Sequence, residues 1–349
     1  MSERTCRLGL LVALGVVVLV AASSAVAGLT PAFSATTTAD ATVVSYSQAP
    51  GDDPVAAITF YVASGYAALL AQSEGDVLGT LTAKAVASDL GGATLSLSGQ
   101  IVAATAASTI TSAGATVPLS AAAVACTGTA THSAFWILNL TGSGQTLQVP
   151  AFVDDVPLTN PLSALANNTI KICLPPPDVP AGTPGRATAG TKLVSMTLNI
   201  TDVFSTAPLW YLWHATVTPY TPGTGKANAA GTVEVQSVDR TPQEVTITVR
   251  AAKKPGSMLV FGKVRAGGKG IAGAEVSILA GKKAVGKATS RPGGSYQAVV
   301  TAPAAATFSA TTVVAPRAIS SCGAYFAPAP CAGAWYAGFS ATSEAVKAS

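Results

Sequence analysis

The sequence predicts an all-β protein with two antiparallel β-sandwich domains after an N-terminal signal helix. Polar and apolar residues alternate with a period of two in several runs, among them residues 192–200 and 275–279. This pattern, rich in Val, Ile and Thr, is typical of strands that bury one face. Gly and Pro, at 33 and 22 residues, supply turns between the runs. Helix start and stop signals are scarce, which favours sandwiches over mixed folds.

The N-terminus has the pattern of an export signal. Arg4 and Arg7 precede residues 8–27, which are apolar and uncharged, and Ala25 and Ala27 fit a small-x-small cleavage site before Gly28. We therefore expect a signal peptide over residues 1–27 and a secreted, extracellular or cell-surface protein. An uncharged run of 20 residues can also span a bilayer, so a membrane anchor formed by residues 8–27 is the alternative, although Ser23 and Ser24 weaken it.

Charge divides the remaining chain in two. Residues 36–245 contain 13 acidic and 6 basic residues, whereas residues 246–349 contain 2 acidic and 12 basic ones. Turn-rich and Pro-containing segments at 218–225 and 238–243 place the boundary near residue 240. We expect a flexible, Ser/Thr-rich leader over 28–47, a β-sandwich domain over 48–240 and a second domain over 241–349. The opposite charges leave open that the two domains dock on each other.

Four cysteines follow the signal: Cys126, Cys173, Cys322 and Cys331. An even number in an exported chain favours disulfides, and four cysteines allow three pairings. Proximity and the domain boundary favour Cys126–Cys173 and Cys322–Cys331. The chain has no C-x-x-C or C-x-x-H spacing, so zinc is not expected. No other metal and no cofactor are predicted.

In the second domain, residues 262–278 have a strand pair of the form G-x-V … G-A-x-V. Residues 287–300 follow with a hairpin of the form G-x-Y, and residues 306–311 have a further strand pattern. Together they resemble the bacterial Ig-like and carboxypeptidase-regulatory-like (transthyretin-like) modules of exported proteins. The resemblance implies an Ig-like β-sandwich over 241–349. Many such modules have acidic residues in the hairpin turn, but this chain has Arg-Pro-Gly-Gly at 291–294, which argues against calcium there. We expect Gly293 and Gly294 to take positive φ and Tyr296 to begin the return strand.

An aromatic cluster is the strongest candidate for ligand binding. Trp210, Tyr211 and Trp213 lie in one predicted strand, and alternation puts Tyr211 and Trp213 on the same face. If exposed, these rings would stack on sugars, so a carbohydrate-binding module is the second functional hypothesis. Packing in the core or an interface is favoured over this exposed platform, because aromatic side chains dominate core energetics.

The sequence contains no recognisable catalytic motif. His132 and His214 are the only histidines, and no nucleophile-elbow motif accompanies them. Asp52-Asp53 and Asp154-Asp155 are the carboxylate pairs, and their sequence does not test a glycosidase arrangement. Asp154-Asp155 could belong to a calcium loop, but a solvated turn is favoured. No catalytic residue is assigned, and a secreted hydrolase is the weakest of the three hypotheses.

The sequence thus predicts an exported, non-enzymatic protein with a structural, adhesive or binding role at the cell envelope or outside the cell. The expected partners are envelope polymers, glycans or another exported protein. Nucleic acid is not expected, because nucleic-acid-binding motifs are absent and the lysines of the second domain suit strand edges. Membrane contact is expected only through an uncleaved N-terminal segment.

Overall fold

The computed structural model describes residues 28–37, 41–112, 115–142, 145–206, 210–241, 243–303, 305–315, 317–318, 335–336 and 338–348. It confirms the all-β class and the prevalence of antiparallel pairing. The predicted signal segment, Cys322 and Cys331 lie outside these residues. Within the part of the chain just defined, no helix is long and apolar enough to cross a membrane.

The described strands have the following bounds. They are β1 Ala32–Thr37, β2 Ala41–Ser47, β3 Val55–Ala63, β4 Tyr66–Ala68, β5 Val77–Ala87, β6 Ala93–Ala104, β7 Thr109–Ser112, β8 Ala115–Pro118, β9 Ala134–Gly142, β10 Gln145–Asp155, β11 Ala166–Cys173, β12 Thr191–Thr201, β13 Phe204–Thr206, β14 Trp210–Thr221, β15 Lys226–Ala227, β16 Val233–Arg240, β17 Gln243–Val245, β18 Thr248–Ala251, β19 Ser257–Ala266, β20 Lys269–Gly270, β21 Glu275–Ala280, β22 Lys283–Thr289, β23 Ser295–Thr301, β24 Thr307–Val314, β25 Arg317–Ala318, β26 Trp335–Tyr336, β27 Phe339–Thr342 and β28 Val346–Lys347. An α-helix, α1, spans Leu119–Thr127, and short 3-10 turns occupy Ser88–Leu90, Pro161–Ala164, Thr188–Gly190 and Ala229–Gly231.

One large sheet contains most of the strands between Ala32 and Arg240. Its order is β1-β2-β12-β5-β6-β9-β10-β11-β3-β14-β16-β26-β25, with β15 added beside β14. The sheet curls until β1 meets β16. There the Ala35 N–H donates to Ser237 Oγ (2.9 Å) and the Thr37 N–H donates to Asp239 Oδ2 (2.7 Å). The curled sheet therefore encloses its core, and side chains of β16 satisfy backbone groups of β1.

The prediction of a flexible leader over residues 28–47 is wrong. Residues 32–37 and 41–47 form β1 and β2, and β2 pairs with both β1 and β12. Phe33, Ala35, Val44 and Tyr46 are buried in the large core. The segment is ordered because its alternate residues are apolar and face inward, which outweighs its Ser/Thr content.

A second hydrophobic core lies between two five-stranded sheets in the second half of the chain. One sheet is β17-β19-β18 with β20 and β23, and the other is β22-β21-β24-β27 with β28. Gly293 and Gly294 take positive φ and β23 begins at Ser295, next to Tyr296, as expected. A side chain at Gly294 would meet the Val264 carbonyl oxygen at 2.2 Å, so the turn requires glycine. Strands β25 and β26 cross the predicted boundary and pair within the first sheet.

Helix α1 and the β7–β8 hairpin cover part of the outer face of the large sheet. They bury Phe135, Ile137 and Phe152 of β9 and β10 against Ile110 and Leu119. The predicted disulfide Cys126–Cys173 is confirmed, with a Cα–Cα distance of 5.8 Å. It fastens the end of α1 to the end of β11.

Candidate functional site

The predicted aromatic platform is not on the surface. Tyr211 is 4% exposed and Trp213 is 0% exposed, and both belong to the large core. Their rings contact Tyr66 edge-on, with centroid distances of 4.7 and 5.1 Å. Alternation was correct in placing them on one face, but that face points inward. The side chain of Trp210 lies outside the described residues; its backbone pairs with Arg240.

A groove on the outside of the large sheet is the main candidate site instead. Its volume is about 730 Å3, within the range of ligand pockets. Strands β3, β11 and β14 form its floor. One wall is α1 with the β7–β8 hairpin, and the other is the β14–β15 hairpin, which contributes Tyr220 and Gly225. The cavity at the end of the large core, lined by Leu97, Leu138 and Met196, holds only about 50 Å3.

The floor carries polar side chains in a fixed register. Lys171 of β11 and Thr216 of β14 are both paired with Thr59 of β3, so these three residues form one row across three strands. In a row of this kind neighbouring strands are about 4.8 Å apart, so the row is about 10 Å long. In the next row along β3, Tyr61 places its hydroxyl 3.4 Å from Thr216 Oγ1. Successive residues of a strand point to opposite faces. Because the inward residues of these strands pack in the core, the polar residues that alternate with them face the groove.

Among the described residues that line the groove, Lys171 is the one basic residue and none carries a carboxylate. Within the described residues its ammonium has no hydrogen-bond or ion-pair partner. The residue is half-buried, and the other residues that line the groove are neutral. A cation in such a setting attracts anions more strongly than one in open solvent, because the low-dielectric walls reduce screening.

The disulfide fixes one wall of the groove. Cys126 and Cys173 both line it, together with Ala122 and Ala125 of α1. Tyr220 on the opposite wall donates from its hydroxyl to the Leu174 carbonyl (2.5 Å), and burial raises its pKa to about 12. Both walls are therefore tied to the strand end at residues 173–174, so the groove is formed before any ligand binds.

His132 forms hydrogen bonds between the C-terminal end of α1 and β10. Its Nδ1 lies 2.9 Å from Asp154 Oδ2, and its Nε2 lies 3.0 Å from Thr127 Oγ1. The order hydroxyl, imidazole, carboxylate is that of a hydrolase triad. However, the imidazole side chain is 1% exposed and packs against Phe135 and Phe152.

The Thr127 hydroxyl is also occupied on its other side. Thr127 Oγ1 lies 2.9 Å from the Ala123 carbonyl, to which it can donate, and it accepts the Thr129 N–H at 3.2 Å. This series of hydrogen bonds thus fixes the C-terminal end of α1 and connects it to β10. Sequence reasoning missed this arrangement because Thr127, His132 and Asp154 match no spacing motif.

The other polar residues singled out from the sequence have structural partners. His214 Nδ1 lies 2.7 Å from Glu234 Oε1 on the neighbouring strand. Asp52 Oδ2 accepts the Thr30 N–H (2.8 Å) and its hydroxyl (2.7 Å), which anchors residue 30 to the start of β3. Burial first, and then the carboxylates of Asp178 and Asp52, raise the pKa of Asp53. The His214 contact joins β14 to β16, and the Asp52 contacts fix the segment before β3.

The outer face of the large sheet also carries hydroxyl residues away from the groove. A row of seven directly paired hydroxyl residues crosses seven neighbouring strands there: Ser34, Ser45, Thr197, Thr82, Ser98, Thr141 and Thr146. Exposed Lys84 lies in the adjoining row, opposite Ser195. This hydroxyl face lies outside the groove, so its residues serve as matched controls.

No metal centre is found in the ranges that the structure describes, since no three His, Cys, Asp or Glu residues cluster there. No protein-family model, curated protein or solved structure matches the chain. The Ig-like and carboxypeptidase-regulatory-like assignment of residues 241–349 therefore stays a prediction.

Proposed function

We propose that this chain is an exported, non-enzymatic protein with a structural, adhesive or binding role at the cell envelope or outside the cell. The groove over β3, β11 and β14 is the surface by which it binds. The observation that supports a binding role is this preformed groove, with rigid walls, a polar floor and one half-buried ammonium. The Cys126–Cys173 disulfide suits an oxidising compartment, where such bonds persist.

The proposal is tested by co-sedimentation of the full chain with insoluble cell-envelope material. Thr59→Phe places a large ring on the groove floor and should abolish co-sedimentation. Thr82→Phe puts the same ring on the exposed hydroxyl face and should leave it unchanged. Equal co-sedimentation of the two variants, or none by the unmodified protein, would reject the groove as the binding surface.

A secreted hydrolase is the second candidate, and the Thr127–His132–Asp154 chain favours it. A hydrolase predicts turnover of ester or peptide substrates that Thr127→Val and His132→Gln both abolish without a change in fold. The structural role predicts no turnover and a lower melting temperature in both variants. An activity screen combined with thermal denaturation separates the two candidates.

A further inference from the structure

We propose that the groove binds an acidic glycan, with Lys171 as the residue that holds its carboxylate. This inference rests on the proposed function and names the ligand class of the same site. It begins from the floor row Lys171–Thr59–Thr216, which places an ammonium and two hydroxyls within about 10 Å. Tyr61 and Thr218 add hydroxyls in the flanking rows.

The chemistry of the lining matches a sugar acid. Hydroxyl side chains both donate and accept, as sugar hydroxyls do. The C–H faces of sugar rings need apolar contacts, and Val117, Ala122, Ala125 and Pro150 supply them along one side. A single carboxylate on the ligand would pair with the single ammonium, and a bond between charged partners is about twice as strong as one between neutral groups.

Other classes of ligand fit less well. A peptide added as a strand needs a free sheet edge, but β3 is paired on both sides, by β11 and β14. A nucleic acid needs several cations along its backbone, and the described residues of the lining offer one. An acyl chain needs an apolar floor, whereas hydroxyls occupy every row here from Tyr61 to Thr218.

The test is titration calorimetry of the full chain with a short oligogalacturonate and with a neutral oligosaccharide of the same length. Binding of the acidic probe should weaken with added salt, because the ion pair is partly exposed. Lys171→Met should weaken that binding about tenfold or more, and Lys171→Arg should largely retain it. Lys84→Met removes an exposed lysine from the opposite side and should change nothing.

The results distinguish this inference from the proposed function. Equal affinity for both probes, no binding of the acidic probe, or equal loss in Lys171→Met and Lys84→Met would overturn the acidic-glycan assignment. If Thr59→Phe still abolished co-sedimentation with envelope material, the groove would remain the binding surface, but for a different ligand. Both proposals would be rejected if Lys171→Met did not weaken binding of the acidic probe and Thr59→Phe did not reduce co-sedimentation. Unchanged melting temperatures show that the variants are folded.

Discussion

Removal of the disulfide should destabilise the protein and loosen the groove. The bond joins residues 47 positions apart and connects the end of α1 to the end of β11. The double substitution Cys126→Ser with Cys173→Ser eliminates it without leaving a free thiol. The loss affects mainly the unfolded chain, which gains the conformational freedom that the cross-link had removed.

The expected size follows from the length of the closed loop. A loop of 47 residues corresponds to roughly 4 kcal/mol of lost stability by the chain-entropy relation at 25 °C. Typical domains have a free energy of unfolding of about 5–15 kcal/mol, so the variant would lose a large share of it. It should remain foldable, because Phe152 and Leu119 still pack α1 onto the sheet.

Urea denaturation followed by intrinsic fluorescence measures the effect. The variant should unfold at a clearly lower urea concentration, and reduction of the unmodified protein should have a similar effect. Thr82→Phe, on the exposed hydroxyl face, is the control for substitution as such. An unchanged midpoint in the double variant would refute the claim that the cross-link holds α1 and the groove wall in place.

Three further predictions follow from buried groups. Trp213→Ala should lower the free energy of unfolding by about 3–5 kcal/mol, as loss of a fully buried ring does; a stable variant that fails to bind sugars would instead restore the aromatic-platform hypothesis. Asp239→Ala leaves the Thr37 N–H and the Tyr66 hydroxyl without this acceptor, so denaturant titration should show a loss of roughly 2–6 kcal/mol. The pKa of Tyr220 is raised from 10.0 to about 12, so its contribution to stability is complete below pH 10 and is lost as the pH rises through 12; denaturation at increasing pH should show this loss, and Tyr220→Phe should reduce it.

The strands could be predicted from the sequence because their alternation is regular. Residues 192–200 and 275–279 lie in β12 and β21, where inward positions are apolar and most outward ones are polar. Helix α1 was missed although four of the nine residues of Leu119–Thr127 are Ala, the strongest helix former. Pro118, at its N-cap, makes no side-chain capping bond. Packing on Phe135 and Phe152 determines this helix more than any local signal.

The groove could not be predicted from the sequence because its floor depends on strand register. Thr59, Lys171 and Thr216 are far apart in the chain, and only the order β11-β3-β14 brings them into one row. The available signal was a lone lysine between Ile170 and Ile172, which marks an outward position in a buried strand. Conversely, alternation grouped Tyr211 with Trp213 but could not say which side of the sheet was the core.

Hydrogen–deuterium exchange of the full chain, with and without solubilised envelope glycans, tests the binding site most directly. We expect slower exchange on binding in the peptides that contain residues 56–61, 119–126, 171–175 and 216–220, and no change over residues 80–84 and 195–199. Protection on the hydroxyl face instead, or no protection in the groove under conditions where the glycans bind, would contradict the account.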